Sequence, residues 1–444
     1  MSGPQAIATT ILVLALVLQA ALPAYRVLIV MVAAGVACLA TSLGGLGAPS
    51  ALLADVPWDV LVILVGLGLL AEVLAASGLF GVLAAYAARA SRAAPRRVLV
   101  LFAVVMFFVS ALVNNLTALL LVLPVLLTLL RLTSTDRRSL TWTIGALLVA
   151  CNLGGAASPI GDFPAILLLG RGSMGFADYL IAAFPPTLGA LLALLALIVL
   201  VVRPERGLDD DALSRRVSVA VLIALHRGLR VDRRLAAPGG AALLAMLVAW
   251  TFAPRGSGLT PELICWLGVG AALVASPSLS ERLLRRKVDV EAALFLLALF
   301  VMVAAVRRTG AFEDVTRALA ALPVSPTLQL VVFLFVAGLL TGVFSAGPSM
   351  AALLDVADSL TARLPSTAVY VGLALSVCAG SSLFLTAATS GPMAQALTER
   401  AGLKDARGEA LLFGFKDFLP VGILSFVVIE SVAITWALAA IALA

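Results

Sequence analysis

Apolar runs of about 20 residues, the length that crosses a ~30 Å hydrocarbon core, follow one another along nearly the whole chain. They lie at 5–23, 25–45, 57–77, 140–169, 180–202, 238–254, 261–279, 289–308, 368–398 and 415–441. The polar positions between and within them form a pattern that occurs twice. Ala76-Ser77-Gly78-Leu79-Phe80 returns as Arg308-Thr309-Gly310-Ala311-Phe312, with Gly78 and Gly310 separated by 232 residues. Asn114-Asn115-Leu116-Thr117 and Ala346-Gly347-Pro348-Ser349 keep the same 232-residue offset, Asn115 to Gly347. Gly154–Asp162 and the stretch from Gly380-Ser381-Ser382 through Thr386 to Gly391 are related by 226 residues, Gly154 to Gly380. Helix-breaking polar segments at matching positions of two hydrophobic halves point to the binding site of a transporter.

Two further apolar segments, 97–131 and 328–362, read as helix-turn-helix hairpins with the Asn-Asn and Ala-Gly pairs at their tips. An arm such as Val98–Val113 is ~24 Å long at 1.5 Å per residue, short for a full crossing, and its dipolar turn then lies inside the membrane. A re-entrant hairpin accounts for both. Arg92, Arg96 and Arg97 before the first hairpin and Arg131, Arg137 and Arg138 after it place both its ends in the cytoplasm. Around the second, 318–327 carries no charge and Asp358 cancels Arg363, so its ends read as extracytoplasmic. Hairpins that open to opposite sides make an inverted repeat. The same scheme puts the basic stretches Arg203–Arg234, Arg282–Lys287 and Arg400–Arg407 inside and both termini outside. Arg307 and Arg308 break the rule and are expected to snorkel to the outer interface.

The expected fold is an all-α polytopic membrane protein of about ten transmembrane helices plus two re-entrant hairpins, in two inverted-topology repeats with broken helices. Scaffold helices occupy 1–50. Repeat 1 covers 51–202, with hairpin 97–131 and broken helix 140–169. A cytoplasmic linker follows at 203–238 and a second scaffold pair at 239–280. Repeat 2 covers 281–444, with hairpin 328–362 and broken helix 368–398.

Composition agrees. Hydrophobic residues make up 62% and charged residues 12% of the chain, and the mean hydropathy is +1.14, far from soluble globular usage. Barrel strands would show period-two alternation, which is missing. No Lys or Arg precedes Arg26, so the first run lacks the basic start of a cleaved signal peptide and reads as a retained helix. The net charge of +6 sits mostly in arginines of short loops, a mark of membrane orientation and not of nucleic-acid binding. Cys38, Cys151, Cys265 and Cys378 fall in apolar stretches at spacings suited to neither zinc nor a disulfide framework, and read as small buried hydrophobes. Ser214–Arg234 alternates Arg with Val, Leu and Ile, as either a basic helix on anionic lipid or a plain linker. It holds the single histidine, His226, read as solvated.

The chemistry concentrates where the apolar spans are interrupted. Pro159 removes a backbone donor and Gly154, Gly155 and Gly161 weaken the helix, so the 140–169 span is expected to unwind over Gly154–Asp162. Unwinding at membrane depth costs several kcal/mol per unsatisfied group and is tolerated where the segment lines a site. Asp162 is an ionisable group in the middle of an apolar span, functional by default, and a carboxylate there can exchange a proton for a metal cation. It also suits the N-cap of a half-helix starting at Phe163-Pro164. Asn114, Asn115 and Thr117 offer hard oxygen ligands suited to sodium or to hydrogen bonding an oxyanion, or a capped tight turn. In the second half Ser345, Gly347, Ser349, Ser381, Ser382, Thr386 and Ser390 form a weaker counterpart. Glu72 and Glu430 also fall within apolar spans, and the sequence assigns them no role.

These residues resemble the ion transporter superfamily, which includes NhaD-type sodium/proton antiporters, arsenite permeases, citrate permeases and divalent-anion/sodium symporters. The resemblance runs from about Trp58 to the end of the chain. It is carried by Gly78-Leu79-Phe80, by Asn114-Asn115 with Pro124 following, and by Asn152-Leu153-Gly154-Gly155 leading into Ser158-Pro159-Ile160-Gly161-Asp162. The last string is most similar to NhaD-type antiporters, and its continuation Phe163-Pro164-Ala165 stands between them and arsenite permeases. The resemblance implies a scaffold and a transport part in each half, hairpin tips meeting broken helices, and often a homodimer with elevator motion. It implies ion sites at Asn114, Asn115 and Gly154. Members usually carry an Asn in the second tip and a Gly-Gly-Asn pattern in the second break; here stand Ala346-Gly347 and Gly380-Ser381-Ser382.

The expected function is therefore secondary active transport, with Na+ and/or H+ as coupling ion, no other cofactor, and Asn114, Asn115, Gly154 and Asp162 around the sodium ion. Sodium/proton antiport is the first reading, because the site segments hold a carboxylate and no Arg or Lys. A small-anion permease for arsenite, a citrate-like carboxylate or another oxyanion is the alternative, since half-helix N-termini bind anions without a basic side chain. A passive channel is the remote one. The partners are the lipid bilayer and the transported ion, in the cell's inner (plasma) membrane. An intramembrane aspartyl hydrolase is disfavoured: Pro159 replaces the first Gly of a Gly-x-Gly-Asp string, and no second carboxylate stands in a comparable segment. No Gly-x-x-x-x-Gly-Lys-Ser/Thr loop for ATP occurs.

Overall fold

Each apolar run winds into helix, because a chain without water to hydrate its peptide groups satisfies them within the segment. The structure, a computed structural model, describes residues 3–444 apart from 23–24, 134, 171–173, 206–216, 218–219, 222–229, 253–257, 276, 278–280, 282–289, 389 and 406–407. Most of the linker, His226 and the basic stretch at 282–287 lie outside the described residues. Among the described residues the only β pairing is a single bridge, Lys404 to Ala410.

The chain opens with α1 (Gly3–Ala21), α2 (Arg26–Leu43) and the short α3 (Pro49–Ala54). A series of seven helices follows: α4 (Trp58–Ala76), α5 (Leu79–Ser91), α6 (Pro95–Ser110), α7 (Asn115–Leu132), α8 (Arg137–Ala157), α9 (Phe163–Gly170) and α10 (Phe176–Leu197). After α11 (Arg233–Phe252) and α12 (Pro261–Val274) the series returns as α13 (Val290–Arg308), α14 (Ala311–Ala320), α15 (Pro326–Phe344), α16 (Ala346–Leu360), α17 (Ser366–Ser381), α18 (Ser390–Ala401) and α19 (Phe415–Ala442). Among the described residues seven helices are long and apolar enough to cross a membrane, or eight if the pair 293–308 and 311–319, bent by 68°, counts as one span. The shorter apolar helices α1, α2 and α12 stand beside them. The chain is an all-helical, multi-pass membrane protein.

The landmarks of the sequence sit at the joints of the two series. Gly78 and Gly310 start α5 and α14 with φ of 75° and 77°, a left-handed backbone that glycine adopts without steric cost. Both hairpins form, α6–α7 and α15–α16. Both broken spans form, α8–α9 and α17–α18, but the first break is shorter than expected: α8 stays helical through Gly154 and Gly155 to Ala157, and only 158–162 leave the helix.

Packing repeats with the element order. α6 lies along α8 as α15 lies along α17, and α8 against α10 as α17 against α19. Each half's post-break helix crosses to the other half's hairpin: α18 packs on α7, and α9 on α16. The leading pairs are exchanged, with α1 and α2 packed on α13, and α11 and α12 on α4. α8 and α17 form the centre, buried along almost their whole lengths. Their close contacts use matching glycines: a Cβ on Gly154 would fall 2.2 Å from the Phe107 carbonyl oxygen, and one on Gly380 2.1 Å from that of Gly338. Only a hydrogen lets the backbones approach this closely.

Arg307 and Arg308 correct an expectation. Both end in ion pairs, which the expectation of snorkelling did not include. Arg307 donates from Nε and Nη2 to the two carboxylate oxygens of Asp355, at 2.8 and 2.5 Å. Arg308 Nε donates to Asp55 at 2.7 Å. A bidentate carboxylate partner on α16 holds the guanidinium more firmly than interfacial water does.

Candidate functional site

The turn between α6 and α7 meets the break between α8 and α9. Asn114 caps α7: its backbone is extended, and its Oδ1 accepts the Thr117 N–H at 2.8 Å. That frees Asn115, the next residue, to turn inward, where it is buried. Asn115 Nδ2 donates to Asp162 Oδ2 at 3.1 Å. The other carboxylate oxygen, Oδ1, accepts the Phe163 N–H at 2.8 Å and so caps α9. Asp162 therefore combines the cap and the side-chain contact in one carboxylate, with each oxygen held by one donor.

The rest of the break is fixed by its neighbours. Ser158 Oγ donates to the Ala111 carbonyl at 2.5 Å, tying the unwound segment to the hairpin turn. Ser110 Oγ–H faces Asn115 Oδ1 at 2.6 Å and the Cys151 carbonyl at 2.8 Å. Cys151 Sγ in turn points at the Asn115 carbonyl at 3.2 Å. Gly155 makes room for this cluster, since a Cβ there would stand 2.5 Å from Asn115 Oδ1 and 2.9 Å from Asp162 Cβ. Gly154 does not reach the side-chain cluster; its place is the backbone approach to Phe107.

Asp162 also faces a small cavity between the halves, lined among others by Tyr179 on α10, Ala346 at the second hairpin tip, and Cys378 and Ser381 on α17. Its volume of ≈ 10 Å3 is about what a single water molecule needs. Tyr179 is buried and donates its OH to the Ala156 carbonyl at 2.8 Å, satisfying an acceptor that the helix break leaves open. Among the described residues no Lys or Arg lines the cavity.

The two breaks are joined by Asn152, whose Nδ2 donates to the Ser381 carbonyl at 3.2 Å and to Ser382 Oγ at 3.1 Å. Its Oδ1 is buried without a partner. Ser381 Oγ turns back to the Cys378 carbonyl at 2.9 Å. At the second tip Ser345 holds φ 70°, ψ 163° and forms the whole turn between α15 and α16. Gly347 lies against the Phe163 ring, with its absent Cβ position 3.2 Å from Cδ1. Ser349 is buried with Oγ unpartnered. Thr386 is exposed and stands apart from the cluster.

The structure thus brings together Asn115, Ser158, Gly155 and Asp162, with Asn114 and Thr117 behind them as the cap, and links them to the second break through Asn152, Ser381 and Ser382. Ser110, Cys151 and Tyr179 were missed by sequence reasoning. The first two carried one weak signal, a polar or thiol residue lying within reach of a tip or break in an otherwise apolar helix. Among the described residues no group of three or more His, Cys, Asp or Glu side chains stands close enough to hold a transition metal. Asp162 is met by two N–H groups, those of Asn115 and Phe163, and neither is a cation ligand.

A carboxylate at a helix break, enclosed between two packed halves of a multi-pass helical bundle, is the arrangement of a membrane transporter. The chain belongs to the CitMHS family, described as citrate transporter, whose model matches residues 10–380. It is 30% identical over 361 residues to an uncharacterized transporter of Mycobacterium tuberculosis, covering 79% of this chain and 80% of the relative. It is 30% identical over 359 residues to a 46 kDa membrane protein of Mycobacterium leprae, covering 78% and 80%. The magnetosome protein MamN of Paramagnetospirillum magneticum is 28% identical over 408 residues, covering 88% and 89%. Among solved structures, the YdaH transporter of Alcanivorax borkumensis, described as having an unusual topology, aligns over 98% of both chains at 18% identity with a TM-score of 0.46. The family is one of transporters, not enzymes, and sits in the ion transporter superfamily.

Proposed function

We propose that this transporter exchanges sodium for protons, with Asp162 as the group that carries either ion in turn. The observation that carries the reading is the Asp162 carboxylate at the break, facing the cavity between the halves with no basic side chain beside it among the described residues. A carboxylate without a fixed counter-charge is stable in such a place when it holds a proton or a cation. In the present arrangement Asn115 turns its Nδ2, not its oxygen, toward Asp162. A cation at Asp162 requires that donor to withdraw, either by rotation of the amide, which presents Oδ1 instead, or by a small shift of the hairpin tip. Sodium and the Asn115 N–H then compete for the same carboxylate oxygen, which makes Asn115 a switch in the exchange. The re-entrant, oppositely oriented hairpins belong to this reading, because they let the site face each side alternately. So does the inner (plasma) membrane, where proton and sodium gradients supply the driving force.

The family supports a second reading, uptake of a citrate-like carboxylate coupled to sodium or protons. In that reading the cavity must enlarge, and the anion must be held by helix N-termini and hydroxyls, with Asp162 neutralised by the coupling ion. Flux measurements in proteoliposomes separate the two. Under antiport, an imposed pH gradient drives sodium movement without citrate, and Asp162→Asn abolishes it. Sodium or proton movement that appears only when a carboxylate is added assigns the second reading and ends the first.

A further inference from the structure

Among the described residues Glu430 is the carboxylate buried most fully inside the helical bundle, and it lies away from the site described above. It stands on α19 and is 3% exposed. Its Oε1 accepts from Ser376 Oγ on α17 at 3.0 Å. Its Oε2 has no hydrogen-bond partner. The space in front of Oε2 is made by a glycine: the position a Cβ would take on Gly338 of α15 is 2.9 Å from Oε2 and 3.2 Å from the Ser376 carbonyl oxygen. Two acceptors therefore border one small gap with no donor between them. A hydrogen on Oε2 resolves this, because the acid then donates into the gap while Oε1 keeps the Ser376 hydroxyl.

The charges around it point the same way. α15 carries no charged residue, and α17 contributes only Tyr370 and Cys378 as titratable groups. α8 contributes Cys151 and, at its start, Arg137 and Arg138; α10 contributes Asp178 and Tyr179. Arg137 is committed to Asp417 at 2.8 Å, and Asp417 lies thirteen residues before Glu430 on α19, ~20 Å along the axis. Arg138 donates to the Val202 carbonyl at 2.8 Å. No cation among the described residues is placed to balance a Glu430 carboxylate. Too few oxygens converge on the gap to coordinate a metal ion, which needs about six.

We propose that Glu430 is a second proton-binding site, which holds a neutral carboxyl in this conformation and exchanges its proton as α19 moves against α15 and α17 during transport. The part of the proposal that concerns coupling rests on the exchange function inferred above; the protonated state of Glu430 does not. In the first series the matching helix α10 is apolar at the corresponding depth, so this proton belongs to the second half alone.

The test uses the full-length protein reconstituted in lipid. Infrared spectroscopy at neutral pH should show a carboxylic-acid C=O band that is lost in Glu430→Gln and shifted in Ser376→Ala, which keeps the acid but removes its donor. Paired fluxes of protons and radioactive sodium should show a proton-to-sodium ratio lowered by about half in Glu430→Gln, with sodium affinity changed by less than about twofold, because one of two proton carriers is removed. An infrared spectrum identical in wild type and both variants overturns the proposal. So does an unchanged proton-to-sodium ratio in a folded Glu430→Gln. If the wild type shows the Glu430 band but moves no sodium, the protonated site stands and the exchange reading falls.

Discussion

In the first half a serine, an amide and a carboxylate meet at one point: Ser110, Asn115 and Asp162. At the corresponding positions of the second half stand Gly342, Gly347 and Ala388. The backbone of the two places is built alike, with a hairpin turn, a broken span and a glycine where the helices cross, yet every side chain of the cluster is replaced by one that cannot bind. The second half instead presents hydroxyls, and its Ser381 and Ser382 are engaged by Asn152 reaching across from the first. Duplicated architecture and undivided chemistry can therefore coexist. Both breaks border the cavity, whereas the ion site proposed above uses only one carboxylate.

Six substitutions test this division. The largest effect is expected from Asp162→Asn, which should lower pH-driven sodium flux by ~100-fold or more, ≈ 2.7 kcal/mol of lost stabilisation. Removing a hydroxyl of the second break, Ser382→Ala, should cost severalfold at most. Equal losses would mean that the second break also binds the ion. Next come Gly154→Ala and Gly380→Ala, whose new Cβ atoms would meet a carbonyl oxygen of the facing helix. Each should destabilise by about 1–3 kcal/mol, seen as a fall in unfolding temperature in detergent. The prediction is that the two losses match, since the crossing is architectural; a large loss in one half alone would break the symmetry argued here. Asn115→Ala should be smaller, raising the half-saturating sodium concentration by about tenfold, or 1.4 kcal/mol, with folding retained. Thr386→Ala should be silent, within about 0.5 kcal/mol in stability and unchanged in flux, because that side chain is exposed and outside the cluster.

The joints of the fold were legible because they are written in residues with few conformational alternatives. Gly78 and Gly310 mark left-handed turns, and Pro159 with its glycines marks a span that cannot stay helical. Hydropathy located the long helices within a few residues for the same reason, as burial in lipid leaves the backbone little choice. Side-chain direction was harder. Asn114 and Asn115 are indistinguishable in sequence, but one caps a helix and the other reaches the carboxylate. Thr386 has the right chemistry in the right segment and points away. Ser110 and Tyr179 lie in apolar helices where nothing local separates a core hydroxyl from a functional one; only the approach of another element gives them a role. Arg307 and Arg308 looked like interfacial anchors because their partners, Asp355 and Asp55, are remote in sequence.

The exchanged leading pairs also bear on how the molecule is made. The face of α4 that α12 covers is synthesised long before α12 exists, and α2 waits still longer for α13. During translation the early helices must reside in the bilayer with unfilled grooves, so final assembly can begin only when the later segments arrive. A gene divided at the central linker would yield two fragments, each owning a helical brace that fits the other and missing the one it needs itself.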